Sequence, residues 1–138
     1  MSTSDNPDPS AQRRRAQLAR VVESLRALHK ELMQQARHDY ERDHGPIPSP
    51  GVFLNLLVSD AFFQWLRPLS GAMADLDELL DLVDPGPEHT RAVRLRFEAL
   101  VTEDENDSVF GVRYRDYLQR SAEVVMAHAV VRIALRPL

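Results

Sequence analysis

Residues 49–84, SPGVFLNLLVSDAFFQWLRPLSGAMADLDELLDLVD, decide the fold of this chain. The segment contains the only tryptophan and three of the five phenylalanines, and it ends in an acidic amphipathic stretch. Such a concentration of large apolar side chains predicts the core of a small helical protein. It does not indicate a reaction.

A long amphipathic helix is predicted upstream, over residues 11–44. At 100° per residue its apolar side chains fall on one side, while most of its charged side chains lie elsewhere. Gly45, Pro46 and Pro48 are expected to end this helix. The apolar stripe consists of Leu18, Val21, Val22, Leu25, Leu28, Leu32, Ala36 and Tyr40.

Residues 51–58 are apolar nearly all round and predict a short buried helix, capped by Ser49 with Pro50 at its first position. Downstream, Pro68 lacks a backbone donor and disfavours helical geometry at Arg67. Either a helix kinks at this point or one helix ends near Leu66 and another begins. We expect a kinked helix over residues 61–83.

Three further helices are predicted, over residues 88–103, 110–120 and 121–135, with loops at 84–87 and 103–107. The last helix is apolar on two sides, a pattern typical of a central helix. The sequence shows neither strand alternation nor an internal repeat. The prediction is an all-α bundle of four to five helices, kinked or broken near Pro68. It forms one domain over residues 11–138, after a disordered tail at residues 1–10.

Composition narrows the function classes. The 138 residues include no cysteine, which excludes disulfides and thiolate chemistry. The net charge of −4 argues against a dedicated nucleic-acid binder. Because no apolar run reaches the roughly 20 residues of a membrane span, and the N-terminus is polar and acidic, we expect a cytoplasmic protein without membrane contact.

Two histidines are candidate metal ligands. His29 lies within the apolar stripe of the first long helix, and His128 lies on one apolar side of the last helix. Facing histidines could bind a metal or poise a proton. Di-iron bundles need Glu-x-x-His pairs as well, and Arg26 and Val125 occupy the corresponding positions here. The alternative is a core or boundary histidine that bonds to a backbone or carboxylate group.

The segment HDYERDH, residues 38–44, contains one Glu-x-x-His pair, Glu41 with His44. Asp39 and Asp43 lie near the apolar stripe at the end of the helix. Polar groups in that position can mark the mouth of a site, or they can mark a helix end that extends into solvent. A single unrepeated motif favours the solvated end. The acidic run at residues 103–107 fails the calcium-loop template, because Val109 and Arg115 occupy its glycine and glutamate positions.

Arginines begin the first helix, at positions 13–15, and flank two tyrosines, at positions 113, 115 and 120. Arginine beside aromatic residues could bind single-stranded nucleic acid. Here Tyr114 and Tyr117 share a face with Phe110 and are expected to be packed. Arginines in a first turn oppose the helix dipole and predict an acidic neighbour, such as the acidic face of residues 68–83.

Residues 49–77, with 25–45 upstream and 110–132 downstream, resemble a family of small uncharacterised bacterial helical proteins. The resemblance is strongest at Trp65, Arg67 and Pro68. It implies an α-helical bundle and no known reaction, so it implies no functional residue and no cofactor.

The leading hypothesis is a non-enzymatic protein-interaction or structural module. It would form a homo-oligomer, such as a dimer, or bind a protein partner, because helix 121–135 needs more apolar neighbours than a small monomer supplies. The alternative is an internal metal or small-ligand site near His29 and His128, completed by carboxylates such as Asp39 or Asp77. Nucleic-acid binding through the arginines is a third hypothesis, which the charge disfavours.

Overall fold

The computed structural model describes residues 8–102 and 108–138, and these form six α-helices and one 3₁₀ helix. No strand occurs in these two ranges, which confirms the all-α class. The helix count exceeds the predicted four to five. The elements are α1 (Pro9–His44), α2 (Pro50–Ser59), a 3₁₀ helix (Ala61–Leu66), α3 (Arg67–Leu82), α4 (Pro87–Val101), α5 (Val109–Arg120) and α6 (Ala122–Leu135).

Helix α1 is the central element of the fold. It contacts α3, α4, α6 and the 3₁₀ helix, because its apolar stripe spans most of its length. At its end Gly45 adopts a φ of 83°, a left-handed conformation that favours glycine, and its N–H donates to the Glu41 carbonyl. The fully buried residues of the stripe are Leu18, Val21, Leu25, Leu28, Leu32 and Ala36.

Helix α1 begins earlier than the sequence analysis predicted. Asp8 caps it, with its carboxylate accepting from the Ser10 N–H at 3.0 Å, and Pro9 occupies the first position. Residues 9 and 10 are therefore helical and do not belong to a tail. The rest of the predicted tail, residues 1–7, lies outside the described residues, as does the predicted loop at 103–107.

In place of the expected single kinked helix over residues 61–83, a 3₁₀ helix ends at Leu66 and α3 follows directly, and Arg67 is helical despite the proline after it. Asp60 caps the 3₁₀ helix by accepting from the Phe62 N–H at 2.8 Å. Helix α3 then starts at Arg67, with Pro68 in its first turn, where a missing N–H leaves no helical bond unmade. Trp65 and Leu66, at the end of the 3₁₀ helix, are both buried in the core.

Helix α2 is not buried, contrary to the prediction from its composition. Ser49 caps it as expected, at 3.2 Å from the Val52 N–H. However, no residue of α2 is buried, and Leu54 and Val58 are more than 60% exposed. The helix is apolar nearly all round, but it packs mainly against the 3₁₀ helix, and no other element of residues 8–102 and 108–138 covers its outer face.

Helix α6 packs along α1 on one side only. Val124, Val131 and Leu135 are buried in the core, whereas the opposite side is open. The prediction that the last helix lies at the centre of the bundle was therefore wrong for a single copy of the chain. The buried residues of the core come from α1, the 3₁₀ helix and α3 to α6.

Candidate interaction surface

An exposed apolar stripe runs along the outer side of α6. At 100° per residue it is centred opposite the buried residues Val124, Val131 and Leu135. Met126 is 70% exposed and Ile133 is 59% exposed, so burial within the chain does not account for their apolar character. We define the α6 stripe as Ala122, Val125, Met126, Ala129, Val130 and Ile133, all of them exposed.

A groove of about 510 Å³ runs beside the α6 stripe, between α6 and α1. The α6 side of the groove is apolar, whereas α1 contributes mostly polar or charged residues together with Ala27. Val130 and Ile133 belong both to the groove and to the α6 stripe, so the two form one continuous surface. The lining residues are Gln17, Arg20, Glu23, Ser24, Ala27, Val130, Ile133, Ala134 and Pro137.

The two candidate histidines lie on helices that pack together, α1 and α6. Partial burial of His29 lowers its pKa, because the charged imidazolium loses solvation. His128 is also partly buried, and its Nδ1 lies 2.7 Å from the Tyr114 hydroxyl oxygen. His128 is therefore bonded to a tyrosine, and not solely to a backbone or carboxylate group.

The carboxylates suggested for that site make other contacts. Asp77 is half exposed and pairs with Arg26 at 3.7 Å, while Asp39 bonds to residues of α5. Within residues 8–102 and 108–138, no group of three or more His, Asp or Glu side chains is placed to hold a metal ion.

The Glu-x-x-His pair at the end of α1 is not assembled into a site. Glu41 accepts from Arg37 Nε at 2.6 Å, and this hydrogen bond lowers the pKa of Glu41. His44 turns towards Tyr40 instead. Its ring stacks on the Tyr40 ring at a centroid distance of 4.2 Å, and its Nδ1 lies 3.1 Å from the Tyr40 carbonyl oxygen.

Asp39 is the centre of a polar cluster that joins α1 to α5. Its carboxylate accepts from the Tyr117 hydroxyl at 2.7 Å and from Arg120 at 3.0 Å, and only 16% of its side chain is exposed. Burial alone would raise the pKa of Asp39, but the hydrogen bonds from Arg120 and Tyr117 outweigh it and hold the pKa below its ordinary value. The solvated-end interpretation was therefore wrong for Asp39, while Asp43 is exposed as that interpretation expects.

Tyr117 is held between aromatic and charged groups. Its ring stacks on Trp65 at a centroid distance of 5.5 Å, and the Arg120 guanidinium lies over the ring at 4.7 Å from its centroid. Burial, reinforced by the Asp39 carboxylate, raises the pKa of Tyr117 to about 12. Sequence reasoning expected a packed Tyr117 but missed its acidic partner. The signal was an aspartate on an otherwise apolar stripe.

Three of the arginines considered for nucleic acid, Arg14, Arg15 and Arg120, make contacts within the chain. Arg15 donates to the Leu80 and Val83 carbonyls at 2.7 and 2.8 Å, and Arg14 donates to the Pro85 carbonyl. The neighbour of Arg14 and Arg15 is therefore the carbonyl end of α3 and not the acidic face that the sequence predicted, although the Asp84 carboxylate lies 3.4 Å from Arg15. Cations at that end of a helix interact favourably with its dipole.

Comparisons of the chain with protein-family models, curated proteins and solved structures found no match. The resemblance at residues 25–45, 49–77 and 110–132 therefore stays an expectation. No helix of the described chain combines the length and the apolar character needed to cross a bilayer.

Proposed function

We propose that this chain is a non-enzymatic protein-interaction module whose binding surface is the α6 stripe with its adjoining groove. The observation that supports the proposal is the exposure of Met126, Val130 and Ile133 on successive turns of one helix. Each of these side chains is more than half exposed, and no charged residue interrupts them along that face.

The arrangement on α6 differs from ordinary surface exposure. Single exposed apolar residues are common on folded proteins, and Leu95 on α4 is an example here, at 64% exposure. Contiguous apolar patches with a polar rim instead mark interaction sites. Burial of such a patch by a partner stabilises the complex by roughly 25 cal/mol per Å² of apolar surface removed from water.

Site-specific photocrosslinking in the native host tests this function. A photoreactive phenylalanine analogue would replace Met126 on the α6 stripe, and Leu95 would carry the same analogue as a matched control. We expect a discrete crosslinked species from position 126 and none of the same mass from position 95. A diffuse or absent product at position 126 would contradict an interaction surface on α6.

The internal metal or small-ligand site near His29 and His128 remains the alternative hypothesis. Native mass spectrometry of the untagged protein would separate it from the interaction module. The alternative requires stoichiometric extra mass that disappears in both His29→Ala and His128→Ala. The interaction module expects the mass of the polypeptide or its multiples.

A further inference from the structure

We propose that the hydrogen bond between Gly86 and the His89 ring is a proton-controlled clasp, which mild acid opens at the turn between α3 and α4. The turn comprises residues 83–86, and its last residue, Gly86, donates to the His89 side chain on α4. We call this bond the Gly86–His89 clasp. It is independent of the proposed function, because neither residue belongs to the α6 stripe or its groove.

Gly86 supplies the only backbone donor over residues 85–87, since Pro85 and Pro87 have no N–H. Its N–H donates to Nδ1 of His89 at 2.9 Å. The Gly86 carbonyl accepts from the N–H groups of His89 and Thr90, which begins the helix. His89 is thus the third residue of α4, and its side chain bonds back to the residue before the helix, as the Glu or Gln of a capping box does.

The direction of this hydrogen bond fixes the protonation state of the ring. A backbone N–H can only donate, so Nδ1 of His89 is the accepting nitrogen and the neutral ring carries its proton on Nε2. A charged imidazole has a proton on both nitrogens and accepts no hydrogen bond. Protonation of His89 therefore removes the acceptor of the Gly86 N–H. Histidine is the side chain that ordinarily changes charge between about pH 5 and 8, which makes mild acid the relevant condition.

Glu88 is placed to bind the ring once it is charged. Its Oε1 lies 3.4 Å from Nδ1 of His89. In the neutral state both of these atoms are acceptors, whereas a charged ring donates from Nδ1 to the carboxylate. The same nitrogen therefore exchanges the Gly86 N–H for the Glu88 carboxylate when it gains a proton. A positive charge in the first turn of α4 also opposes the helix dipole, which weakens the start of the helix further.

The other carboxylates of this corner have partners of their own. Asp75 on α3 pairs with Arg96 on α4 at 2.7 Å, and both line a cleft between those helices together with His89. Asp84, in the turn itself, lies 3.4 Å from Arg15 of α1. Among the described residues, Glu88 is therefore the carboxylate in contact with the His89 ring.

Opening of the clasp releases the turn on its α4 side only. Towards α1 the turn stays attached, because Arg14 donates to the Pro85 carbonyl and Arg15 donates to the Val83 carbonyl. Arginine keeps its charge throughout this pH range, so these two contacts do not change. We therefore expect acid to loosen residues 86–89 locally while the rest of the bundle stays folded.

Exchange of backbone amides with solvent, measured by NMR on the isotope-labelled full chain from about pH 8 to about pH 5, tests the clasp. Each rate is compared with that of an unprotected amide at the same pH. We expect the protection of the Gly86 amide to fall about threefold or more as the His89 ring becomes charged, because one hydrogen bond is lost. The Gly111 amide is the internal reference, since it donates to the Ser108 hydroxyl at the start of α5.

His89→Gln is the matched variant, because glutamine offers an acceptor at the same helical position but does not titrate. Its Gly86 protection should stay constant over the whole range. Protection of Gly86 that persists in the wild type while the His89 ring becomes charged would overturn the clasp. An equal fall in His89→Gln would overturn it as well, and so would a ring that stays neutral down to about pH 5.

Glu88→Gln tests the exchange of partners separately. The charge of the His89 ring is followed through the chemical shifts of its two nitrogens. Without the Glu88 carboxylate, half of the rings should become charged only at about a twofold higher proton concentration, as expected for the loss of an exposed ion pair. An unchanged midpoint would overturn the role of Glu88.

Discussion

The Tyr117 hydroxyl donates a hydrogen bond of 2.7 Å to Asp39 and thereby joins α5 to the C-terminal part of α1. The two residues are 78 positions apart in the chain. Arg120 completes the cluster, since it binds Asp39 at 3.0 Å and Asp116 at 2.7 Å. The cluster fixes the position of the Tyr117 ring against Trp65 and so couples a polar contact to the aromatic core.

The Tyr117→Phe variant should lower the free energy of unfolding by about 1.5 kcal/mol, because a hydrogen bond to a charged and largely buried acceptor is lost. Urea unfolding followed by circular dichroism measures the difference. Tyr40→Phe is the control, since the contacts of Tyr40 side-chain atoms in the described chain are ring contacts to His44, Phe62 and Phe63. Equal effects of the two variants would show that the bond to Asp39 contributes little.

Asp39 should make stability depend on pH in the acid range. Its pKa in the folded protein lies below its ordinary value of about 3.9, so the unfolded chain binds the proton first as pH falls. The stabilisation is therefore complete above the ordinary value and is lost as pH falls through the lower, folded value. We expect Asp39→Asn to be less stable than the wild type at neutral pH, with the difference shrinking below about pH 4.

Urea unfolding at a series of pH values measures this difference. Asp43→Asn provides the control, because Asp43 is exposed on the same helix end and lies 4.0 Å from Arg42. It should differ little from the wild type throughout. A deficit of Asp39→Asn that stays constant down to the lowest pH would show that its carboxylate charge is not the stabilising element.

The Arg15→Met variant should destabilise the fold by about 1 kcal/mol, since methionine keeps an apolar stem but removes the donors to the Leu80 and Val83 carbonyls at the end of α3. Thermal unfolding followed by circular dichroism gives the comparison. Arg13→Met serves as the control, because Arg13 is exposed in the same turn of α1. The assignment fails if the two variants have the same melting temperature.

The exposure of α2 predicts an unequal response to two identical substitutions. Leu28→Ala leaves a cavity where a fully buried side chain stood, and it should lower the free energy of unfolding by about 3 kcal/mol. Leu54→Ala removes a side chain that is 61% exposed and should change stability by less than about 0.5 kcal/mol. Chemical denaturation of both variants decides the matter, and a large loss for Leu54→Ala would mean that α2 is covered in solution.

Local sequence signals were sufficient for several elements. Gly45 ends α1 as predicted, because only the glycine-favoured backbone conformation closes the helix there. Ser49 and Ser121 cap their helices through side-chain oxygens within reach of backbone N–H groups three residues ahead. Trp65 is a core residue, as its size suggested. These features depend on residues that are close in sequence, so the sequence alone can predict them.

Composition was a poor guide to burial wherever burial depended on distant elements. Helices α2 and α6 are both apolar on more than one side, and the sequence predicted burial for the first and a central place for the second. Among the described residues, none packs on the outer side of either helix, so Leu54 and Met126 are exposed. The histidine hypothesis had the same limit, since periodicity placed His29 and His128 on helix faces without saying what those faces meet.

The sequence by itself determined the helical class, the caps and the apolar stripe of α1, because these depend on the 3.6-residue period and on contacts within a few residues. Only the tertiary structure decided which faces are covered. It brought Asp39 to Tyr117, placed Arg15 at the end of α3 and left the α6 stripe open. The physical reason is that periodicity fixes the angle of a side chain about its own helix axis, whereas burial depends on where the other helices pack.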